Sequence, residues 1–259
     1  MNELFSLAGR VAVITGGTSG IGYMIAQGLV KHGVRTYIVG RQAASCAAAA
    51  AELSNIAGLQ AGGVCLPLPG DLSTHAGVHS IAAAFRAREP ALHLLVNNAG
   101  AMYDAPIAEF SEQGWDSVVD VNLKSVFFLT QQLLPALRAA ATEQAPASVV
   151  NIGSVGALRV GPKENYSYQA AKAGLHHLTG SLAKRLGPEN ITVNAIAPGF
   201  FPSRMTQIPE QALPGILAAV PRRRVGCADD IVGTVIYLAS RAASFVTGAV
   251  IPLTGGMNL

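Results

Sequence analysis

The sequence of 259 residues is poor in charge and in cysteine, and each shortage argues against a class of protein. Only 13% of the residues are charged and 50% are hydrophobic, so burial of apolar surface can offset the entropy of folding, which argues against disorder. A net charge of +3 without a basic stripe argues against nucleic acid as a partner. Cys46, Cys65 and Cys227 have neither paired spacing nor a nearby histidine cluster, so neither a disulfide framework nor a metal site is predicted.

Long apolar runs are also missing. Polar residues interrupt each apolar stretch well before it reaches the length that spans a membrane, and the N-terminal residues around Glu3 and Arg10 do not form a signal peptide. The few unpaired cysteines fit a reducing compartment. We therefore expect a cytoplasmic protein without a membrane partner. The high apolar fraction also leaves surface for burial between subunits, which favours an oligomer.

Short β-branched runs alternate with helical stretches along the chain. Most of these runs are continuously apolar, which is typical of strands covered on both faces. The predicted strands are 11–15, 35–39, 64–68, 92–96, 148–152, 191–196 and 249–252. The predicted helices are 20–33, 43–56, 74–88, 112–139, 165–187 and 228–240. This alternation indicates an α/β fold, a single doubly wound domain of the Rossmann type over residues 1–259, with a seven-stranded parallel sheet.

One segment, residues 203–222, breaks this rhythm. Five prolines lie between Pro198 and Pro221, and prolines at this density fragment helices. The segment follows a predicted strand on the side where α/β sheets place their ligands. We interpret it as a substrate lid, with an ordinary surface excursion as the alternative.

The first predicted strand runs into a glycine-rich turn, and a helix follows the turn. Glycines allow the backbone to turn sharply and to approach a pyrophosphate, whose charge then lies at the helix N-terminus. Strand, turn and helix in this order are the context that such a site requires, so we predict a dinucleotide site. The residues expected to bind the cofactor here are Gly16, Thr18, Ser19, Gly20, Ile21 and Gly22.

The end of the second predicted strand indicates which dinucleotide binds. In dinucleotide sites an acidic residue at this position typically holds the 2′-hydroxyl group of the ribose. Here the position is Gly40, and Arg41 follows it. A guanidinium group can bind a 2′-phosphate through charge-assisted hydrogen bonds, and no carboxylate opposes it. We therefore predict NADP(H), with a solvated surface arginine as the alternative.

Tyr168 and Lys172 are four residues apart on a predicted helix, so they share one face. A free phenol has a pKa of about 10, and a nearby ammonium group is expected to lower it toward the working range. Ser154 carries a hydroxyl group that can hydrogen-bond a substrate oxygen. The set predicts reduction of a carbonyl group with Tyr168 as proton donor. The alternatives are an exposed helix pair and a serine that caps a turn; Tyr166 is a rival phenol that lacks a lysine four residues later.

Seven motifs in this order resemble the short-chain dehydrogenase/reductase family, over nearly the whole chain. They are T-G-x-x-x-G-I-G, Asp71-Leu72, Asn97-Asn98-Ala99-Gly100, Asn122, Ser154, Tyr168-x-x-x-Lys172 and Pro198-Gly199. The resemblance implies that Lys172 also grips the nicotinamide ribose and that Asn122 is catalytic, holding the water that replenishes the proton. The further cofactor contacts that it implies are Asp71, Leu72, Asn98, Ala99, Gly100, Tyr168, Pro198, Gly199, Phe201 and Ser203.

Within that family the chain looks most like the bacterial 3-oxoacyl (β-ketoacyl) reductases, including the type linked to rhamnolipid synthesis. The runs 5–10, 131–135 and 202–206 carry this likeness. It implies a 3-oxoacyl thioester or similar ketone, bound to acyl carrier protein or coenzyme A, and a homotetramer. The apolar residues expected at the substrate pocket are Met102, Leu158, Val160, Phe201 and Met205. An alcohol or sugar dehydrogenase and a non-catalytic nucleotide-binding regulator are the alternatives.

Overall fold

The computed structural model describes residues 3–57, 62–202, 211 and 213–259, and these form the seven strands and eight α-helices named here. The strands are β1 (Val11–Thr15), β2 (Arg35–Gly40), β3 (Val64–Pro69), β4 (Leu94–Asn97), β5 (Ala147–Ile152), β6 (Ile191–Pro198) and β7 (Val250–Leu253). The helices are α1 (Gly20–Lys31), α2 (Ala43–Ala57), α3 (His75–Arg86), α4 (Glu112–Val119), α5 (Ser125–Ala140), α6 (Tyr166–Leu186), α7 (Leu213–Ala219) and α8 (Ala228–Ala239).

The strands form one parallel sheet in the order β3-β2-β1-β4-β5-β6-β7. The interior strand β1 pairs with β2 on one side and with β4 on the other, so Val13 lies between Tyr37 and Leu95. The predicted doubly wound α/β fold is therefore confirmed. The direction of winding changes between β1 and β4, and in open sheets of this type ligands bind outside the carboxyl ends of the strands at such a point.

Two helical layers cover the sheet. The layer with α1, α2 and α8 packs on one face, and the layer with α3, α5 and α6 packs on the other. Strands β1, β5 and β6 are buried along their whole length, which explains why they are continuously apolar in sequence. Successive side chains still alternate between the layers: Ile14 belongs to the first core cluster and Val13 to the second.

Two predicted segments differ in the structure. The predicted helix 112–139 is divided into α4 and α5 by a π-helical turn at Asp120–Lys124, and such turns occur often at functional sites. Within the predicted lid, α7 forms although Pro214 is its second residue, because proline is tolerated in the first turn of a helix. Residues 203–210 and 212 lie outside the described residues. They include Ser203, expected at the cofactor site, and Met205, expected at the substrate pocket.

The structure also bears on membrane insertion. Among the residues that the structure describes, no helix combines the length and the apolar character needed to cross a bilayer.

Candidate active site

The glycine-rich turn after β1 has the backbone conformation that its glycines allow. Gly16 and Gly20 have φ angles of 65° and 57°, in the left-handed region that favours glycine. A Cβ atom on Gly22 would overlap the carbonyl of Gly16 and the side-chain amide of Asn98. Ser19 is the N-cap of α1 without a capping hydrogen bond from its side chain. The turn thus presents a helix N-terminus that suits a pyrophosphate.

A threonine and an asparagine hold this turn against β4. The Nδ2 atom of Asn98 donates to the carbonyls of Thr15 at 2.9 Å and Gly16 at 3.2 Å. The hydroxyl group of Thr15 accepts the backbone N–H groups of Asn98 and Ala99, each at 2.9 Å. The side chain of Asn98 therefore orders the turn, a role that the sequence did not predict. Thr15 was missed as well, although a polar residue that ends an apolar strand could have drawn attention to it.

The predicted selectivity for NADP(H) depends on the end of β2, where Gly40 packs closely against the glycine-rich turn. A Cβ atom on Gly40 would lie 2.8 Å from the Cγ2 atom of Thr18. An acidic side chain therefore does not fit at residue 40 unless Thr18 moves. Arg41 is exposed beside this contact, so its guanidinium group is accessible to a ligand.

The end of β3 contributes the second side of this region. The carboxylate of Asp71 accepts the backbone N–H of Ser73 at 2.9 Å, and this bond and the charge of Arg41 lower the pKa of Asp71. Leu72, which follows, is only 6% exposed, so its side chain packs in the core beneath the surface. Asp71 is thus an exposed anion close enough for the charge of Arg41 to contribute to its lowered pKa.

Ser154, Tyr168 and Lys172 converge where β5 ends beneath the first turns of α6. The hydroxyl group of Ser154 lies near enough to that of Tyr168 to lower its pKa, and it accepts the backbone N–H of Gly156 at 3.0 Å. The amino group of Lys172 donates to the carbonyl of Ile152 at 2.6 Å and lies 5.8 Å from the centre of the Tyr168 ring. The structure thus brings the three predicted side chains together, and Ser154 caps a turn at the same time.

The rival phenol lies apart from this cluster. The hydroxyl group of Tyr166 donates to the carboxylate of Glu164 at 2.8 Å at the protein surface. Its ring packs edge to face on Phe110, 5.4 Å between ring centres. Tyr166 therefore supports the segment before α6 and takes no part in the cluster around Ser154.

Burial decides the charge states of the cluster. Lys172 is 4% exposed, and desolvation lowers its pKa to about 8. Desolvation also raises the pKa of Tyr168, although the Ser154 hydroxyl group opposes this shift. The sequence led to the expectation that Lys172 lowers the phenol pKa, but the net shift is upward because the phenol is buried, while the amino group of Lys172 donates to Ile152. Tyr168 stays protonated at neutral pH, as a proton donor requires.

Asn122 lies in the π-helical turn and is completely buried. Its Oδ1 atom accepts the backbone N–H of Ala101 at 2.7 Å, and its Nδ2 atom donates to the carbonyl of the same residue at 2.9 Å. The side chain thus fixes the segment that leaves β4. Since the turn packs against α6, Asn122 also connects this segment with the helix that carries Tyr168. The predicted water-holding role stays a prediction.

A buried polar network lies below the cluster, and the sequence interpretation missed it. Asn97 donates to the side chain of Asn151 at 2.9 Å, and Asn151 donates to Thr179 at 2.9 Å. Thr130 contacts Asn97 at 3.4 Å. These side chains join β4 and β5 to α5 and α6, since each buried polar group needs a partner. The asparagines in the otherwise apolar strands β4 and β5 could have predicted this network from the sequence.

The residues after β6 are only partly as predicted. Pro198 ends the strand, and the N–H of Gly199 donates to the carbonyl of Leu253 at 3.0 Å. The ring of Phe201 is buried in the core and packs on Gly226, so that a Cβ atom on Gly226 would overlap the ring. The expectation that this side chain lines a substrate pocket is therefore wrong, while its backbone role stays a prediction.

Two of the three neighbouring arginines have local partners. Arg224 donates to the carboxylate of Asp230, at 2.7 Å for its second nitrogen, and Asp230 also accepts the N–H of Cys227 at the start of α8. Arg223 donates to the carbonyl of Ala218 at 2.7 Å, near the end of α7. Arg224 thus pairs locally, and Asp230 helps to cap α8, whose N-cap residue is Cys227. Over the described residues, no group of three or more His, Cys, Asp or Glu side chains is arranged to hold a metal ion.

Known proteins are similar to this chain over its full length. A family model described as enoyl-(acyl carrier protein) reductase matches residues 16–258. The rhamnolipids biosynthesis 3-oxoacyl-[acyl-carrier-protein] reductase of Pseudomonas aeruginosa is 44% identical over 262 residues, covering 100% of both chains. The solved P. aeruginosa RhlG/NADP active-site complex is 44% identical, with a TM-score of 0.94 and full coverage of both chains. A gluconate 5-dehydrogenase of Burkholderia cenocepacia in complex with NADP and tartrate is 29% identical, with a TM-score of 0.88, covering 98% of this chain and 97% of that one.

Proposed function

Because the chain belongs to the short-chain dehydrogenase/reductase family, we propose that it uses NADPH to reduce a ketone, a 3-oxoacyl thioester or a similar apolar ketone, to the alcohol. The observation that carries the proposal is the convergence of Ser154, Tyr168 and Lys172 at the carboxyl end of β5. The relative that is 44% identical along the whole chain is named as a 3-oxoacyl-[acyl-carrier-protein] reductase. We assign the full chain, residues 1–259, to one NADP(H)-binding domain.

The residues present fit this cofactor. A Cβ atom on Gly22 would overlap the carbonyl of Gly16, so the glycine-rich turn needs glycine there. The turn ends at the N-terminus of α1, which suits a pyrophosphate. Gly40 carries no carboxylate and packs closely against Thr18, and the exposed Arg41 can hold a 2′-phosphate. When bound, the cofactor supplies the hydride. An NADP complex has been solved for the relative RhlG.

The side chains of the cluster have separate tasks. The hydroxyl groups of Ser154 and Tyr168 orient the substrate oxygen by hydrogen bonds. Tyr168, which its raised pKa keeps protonated, then donates its proton to that oxygen. The ammonium group of Lys172, 5.8 Å from the ring centre, stabilises the phenolate left by this transfer. Asn122 holds the backbone of Ala101 and so shapes the wall beside β4.

The surroundings favour an apolar substrate. Leu158 and Val160 follow the Ser154 turn, and their side chains are 41% and 86% exposed. Exposed apolar side chains beside a reacting group suit an acyl chain better than a polyol. We also propose that the segment 203–222 acts as a lid over this site; part of it lies outside the described residues, and α7 belongs to it.

A substrate panel tests the function. NADPH oxidation is followed by absorbance with a 3-oxoacyl thioester, with the enoyl thioester of the same chain length, and with a ketogluconate. We expect turnover of the 3-oxoacyl thioester to exceed the other two by about a hundredfold or more, because the two hydroxyl groups are placed to bind a carbonyl oxygen. Faster reduction of the enoyl thioester would favour the activity named by the family model, and faster reduction of the ketogluconate would favour a sugar dehydrogenase.

The proposal includes a homotetramer, supported by two separate apolar surfaces. The first is a groove of about 420 Å³ between α5 and α6, lined by residues that include Leu123, Phe127, Phe128 and Leu178. The second is at the edge strand β7, where Phe245, five residues before the strand, is fully exposed. Exposed apolar surface of this kind marks an interface, and two isologous interfaces generate a closed tetramer.

Light scattering at micromolar concentration tests this assembly. We expect the mass of four chains for the wild type, and the mass of two chains for Phe127→Glu, which places a charge in the groove but leaves β7 unchanged. A monomeric wild type would contradict the proposal. A cytoplasmic location is also proposed, supported by the free thiol groups of Cys46 and Cys65, which are both buried.

A further inference from the structure

Three turns of α6 contact three consecutive residues at the end of β5. Tyr168, Lys172 and His176 are spaced by four residues and share one face of the helix. Tyr168 interacts with Ser154, and Lys172 donates to the carbonyl of Ile152. His176 contacts the residue between these two, Gly153, and the reaction proposed above does not use it.

The imidazole of His176 lies directly against the backbone of Gly153. A Cβ atom on Gly153 would overlap the Nε2 atom of His176 and would lie 2.7 Å from its Cδ2 atom. Gly153 is also held from β6, since its N–H donates to the carbonyl of Ile196 at 2.7 Å. The backbone of Gly153 is thus confined between a side chain of α6 and the end of β6. Any displacement of Gly153 displaces Ser154, the next residue.

The environment of this imidazole keeps it neutral. Its Nε2 atom is buried and makes no hydrogen bond with any described residue. Burial lowers the pKa of His176, and the charge of Lys172 on the same helix lowers it further. From the segments packed against it, the residue after β5 presents the backbone of Gly153, and β6 presents the carbonyl of Ile196 beside that glycine. A proton on His176 would therefore place a second buried cation next to Lys172.

We propose that His176 is a positioning residue whose neutral imidazole confines the Gly153–Ser154 backbone and thereby aligns the Ser154 hydroxyl group with Tyr168. The inference rests on the proposed carbonyl reduction for its kinetic consequences, but the contact itself can be measured without substrate.

A double-mutant cycle tests the contact. His176→Ala removes the confining ring, so kcat should fall about tenfold to a hundredfold while the Kd for NADPH stays within about twofold, since small misplacements of a reacting group cost rate. Gly153→Ala creates the overlap with His176 and should be at least as inactive. In Gly153→Ala/His176→Ala the overlap with the ring is gone and only the carbonyl of Ile196, 3.2 Å from the added Cβ atom, stays close, so kcat should exceed that of Gly153→Ala by about tenfold. A double variant no faster than Gly153→Ala, or His176→Ala with wild-type kcat, would overturn the proposal.

His79→Ala serves as a control, because this histidine is exposed on α3, away from β5. It should leave kcat, Kd and the thermal midpoint unchanged. The thermal midpoint of each variant separates loss of alignment from loss of folding. For this reason the comparison of Gly153→Ala with the double variant matters more than either loss alone.

The charge of His176 provides a readout that a purely structural contact would not move. In the wild type, kcat should fall as the pH decreases through the pKa of His176, below its ordinary value, because the protonated ring is repelled by Lys172. His176→Gln cannot titrate, so its kcat should lack this acid limb. An acid limb that persists unchanged in His176→Gln would contradict the proposal.

NMR titration of the imidazole in the substrate-free protein separates this proposal from the proposed function. The signal assigned by its loss in His176→Gln should titrate with a pKa below the ordinary value, and Lys172→Met should raise that pKa. If this holds while no ketone is reduced, the proposed function fails and the placement of His176 stands. An ordinary pKa that Lys172→Met does not change would overturn the placement.

Discussion

Two regions at the carboxyl ends of the strands differ in whether their charged groups are buried or exposed. The catalytic end consists of Ser154, Tyr168 and Lys172, and the ribose end consists of Gly40, Arg41 and Asp71. Lys172 is almost completely buried, whereas Arg41 and Asp71 are exposed. Burial shifts the pKa of Lys172 to about 8, but the pKa of Asp71 is lowered mainly by a hydrogen bond to a backbone N–H.

Substitutions of buried and of exposed charges are expected to differ in effect. Buried groups act in a medium that screens little, and each has fixed partners, so removing one leaves its partner unsatisfied. Exposed charges are screened by water and salt, and their removal has a graded effect. We therefore expect large losses at the catalytic end and moderate changes of preference at the ribose end.

The largest expected effect is that of Tyr168→Phe. Because this change removes the proton donor, kcat should fall by about 10²- to 10⁴-fold, while the Kd for NADPH measured by fluorescence stays near that of the wild type. The matched control is Tyr166→Phe, whose hydroxyl group bonds Glu164 at the surface, and it should keep near-normal turnover. Near-normal turnover of Tyr168→Phe would assign the acid to another residue.

The second prediction concerns stability at the catalytic end. The pKa of Lys172 is about 8 when folded and about 10.5 when unfolded, so the unfolded chain binds more protons between these values. Stability should therefore rise with pH in this window, by up to about 3 kcal/mol, since one pKa unit corresponds to about 1.4 kcal/mol. Denaturant unfolding of the wild type and of Lys172→Met, at about pH 7.5 and about pH 10, measures this change in the free energy of unfolding near the two ends of the window. The stability of the wild type relative to Lys172→Met should rise with pH; a constant difference would mean that Lys172 titrates normally.

At the ribose end, Arg41→Ala should change the cofactor preference. Loss of its hydrogen bonds to the 2′-phosphate should lower kcat/KM with NADPH by about tenfold to a hundredfold, in line with about 1.5–3 kcal/mol for hydrogen bonds to charged groups. The value with NADH should change little, because that cofactor carries no 2′-phosphate. A wild type that uses both cofactors equally would contradict the assignment to NADPH.

The smallest effect is expected at Arg222, which is exposed beside the lid, as are Arg223 and Arg224. If it steers a carrier that bears phosphate, Arg222→Ala should raise KM for a carrier-bound substrate about threefold at low salt, and this difference should vanish at high salt. Reduction of a small neutral ketone should be unchanged. Arg223 is a less informative position, since it donates to the end of α7. An equal response of both substrates would exclude a docking role.

Much of the fold and part of the site were predictable because they depend on local sequence. Continuously apolar strands and intervening helices predicted the sheet, since parallel strands are covered on both faces. Even there, the π-helical turn at Asp120–Lys124 was missed, because its residues are compatible with a regular helix. The side chain of Phe201 was placed near the substrate, but packing against Gly226 directs it into the core.

The sequence by itself determined the order of the motifs, the turn at Gly16 and the spacing of Tyr168 and Lys172, because these features follow from neighbouring residues and from the period of a helix. Only the tertiary structure decided the charge states and partners. The raised pKa of Tyr168 comes from burial, and the contact of His176 with Gly153 joins residues far apart in the chain. Such properties depend on which atoms the fold brings together and on how much water it excludes, and neither is encoded in any short stretch of sequence.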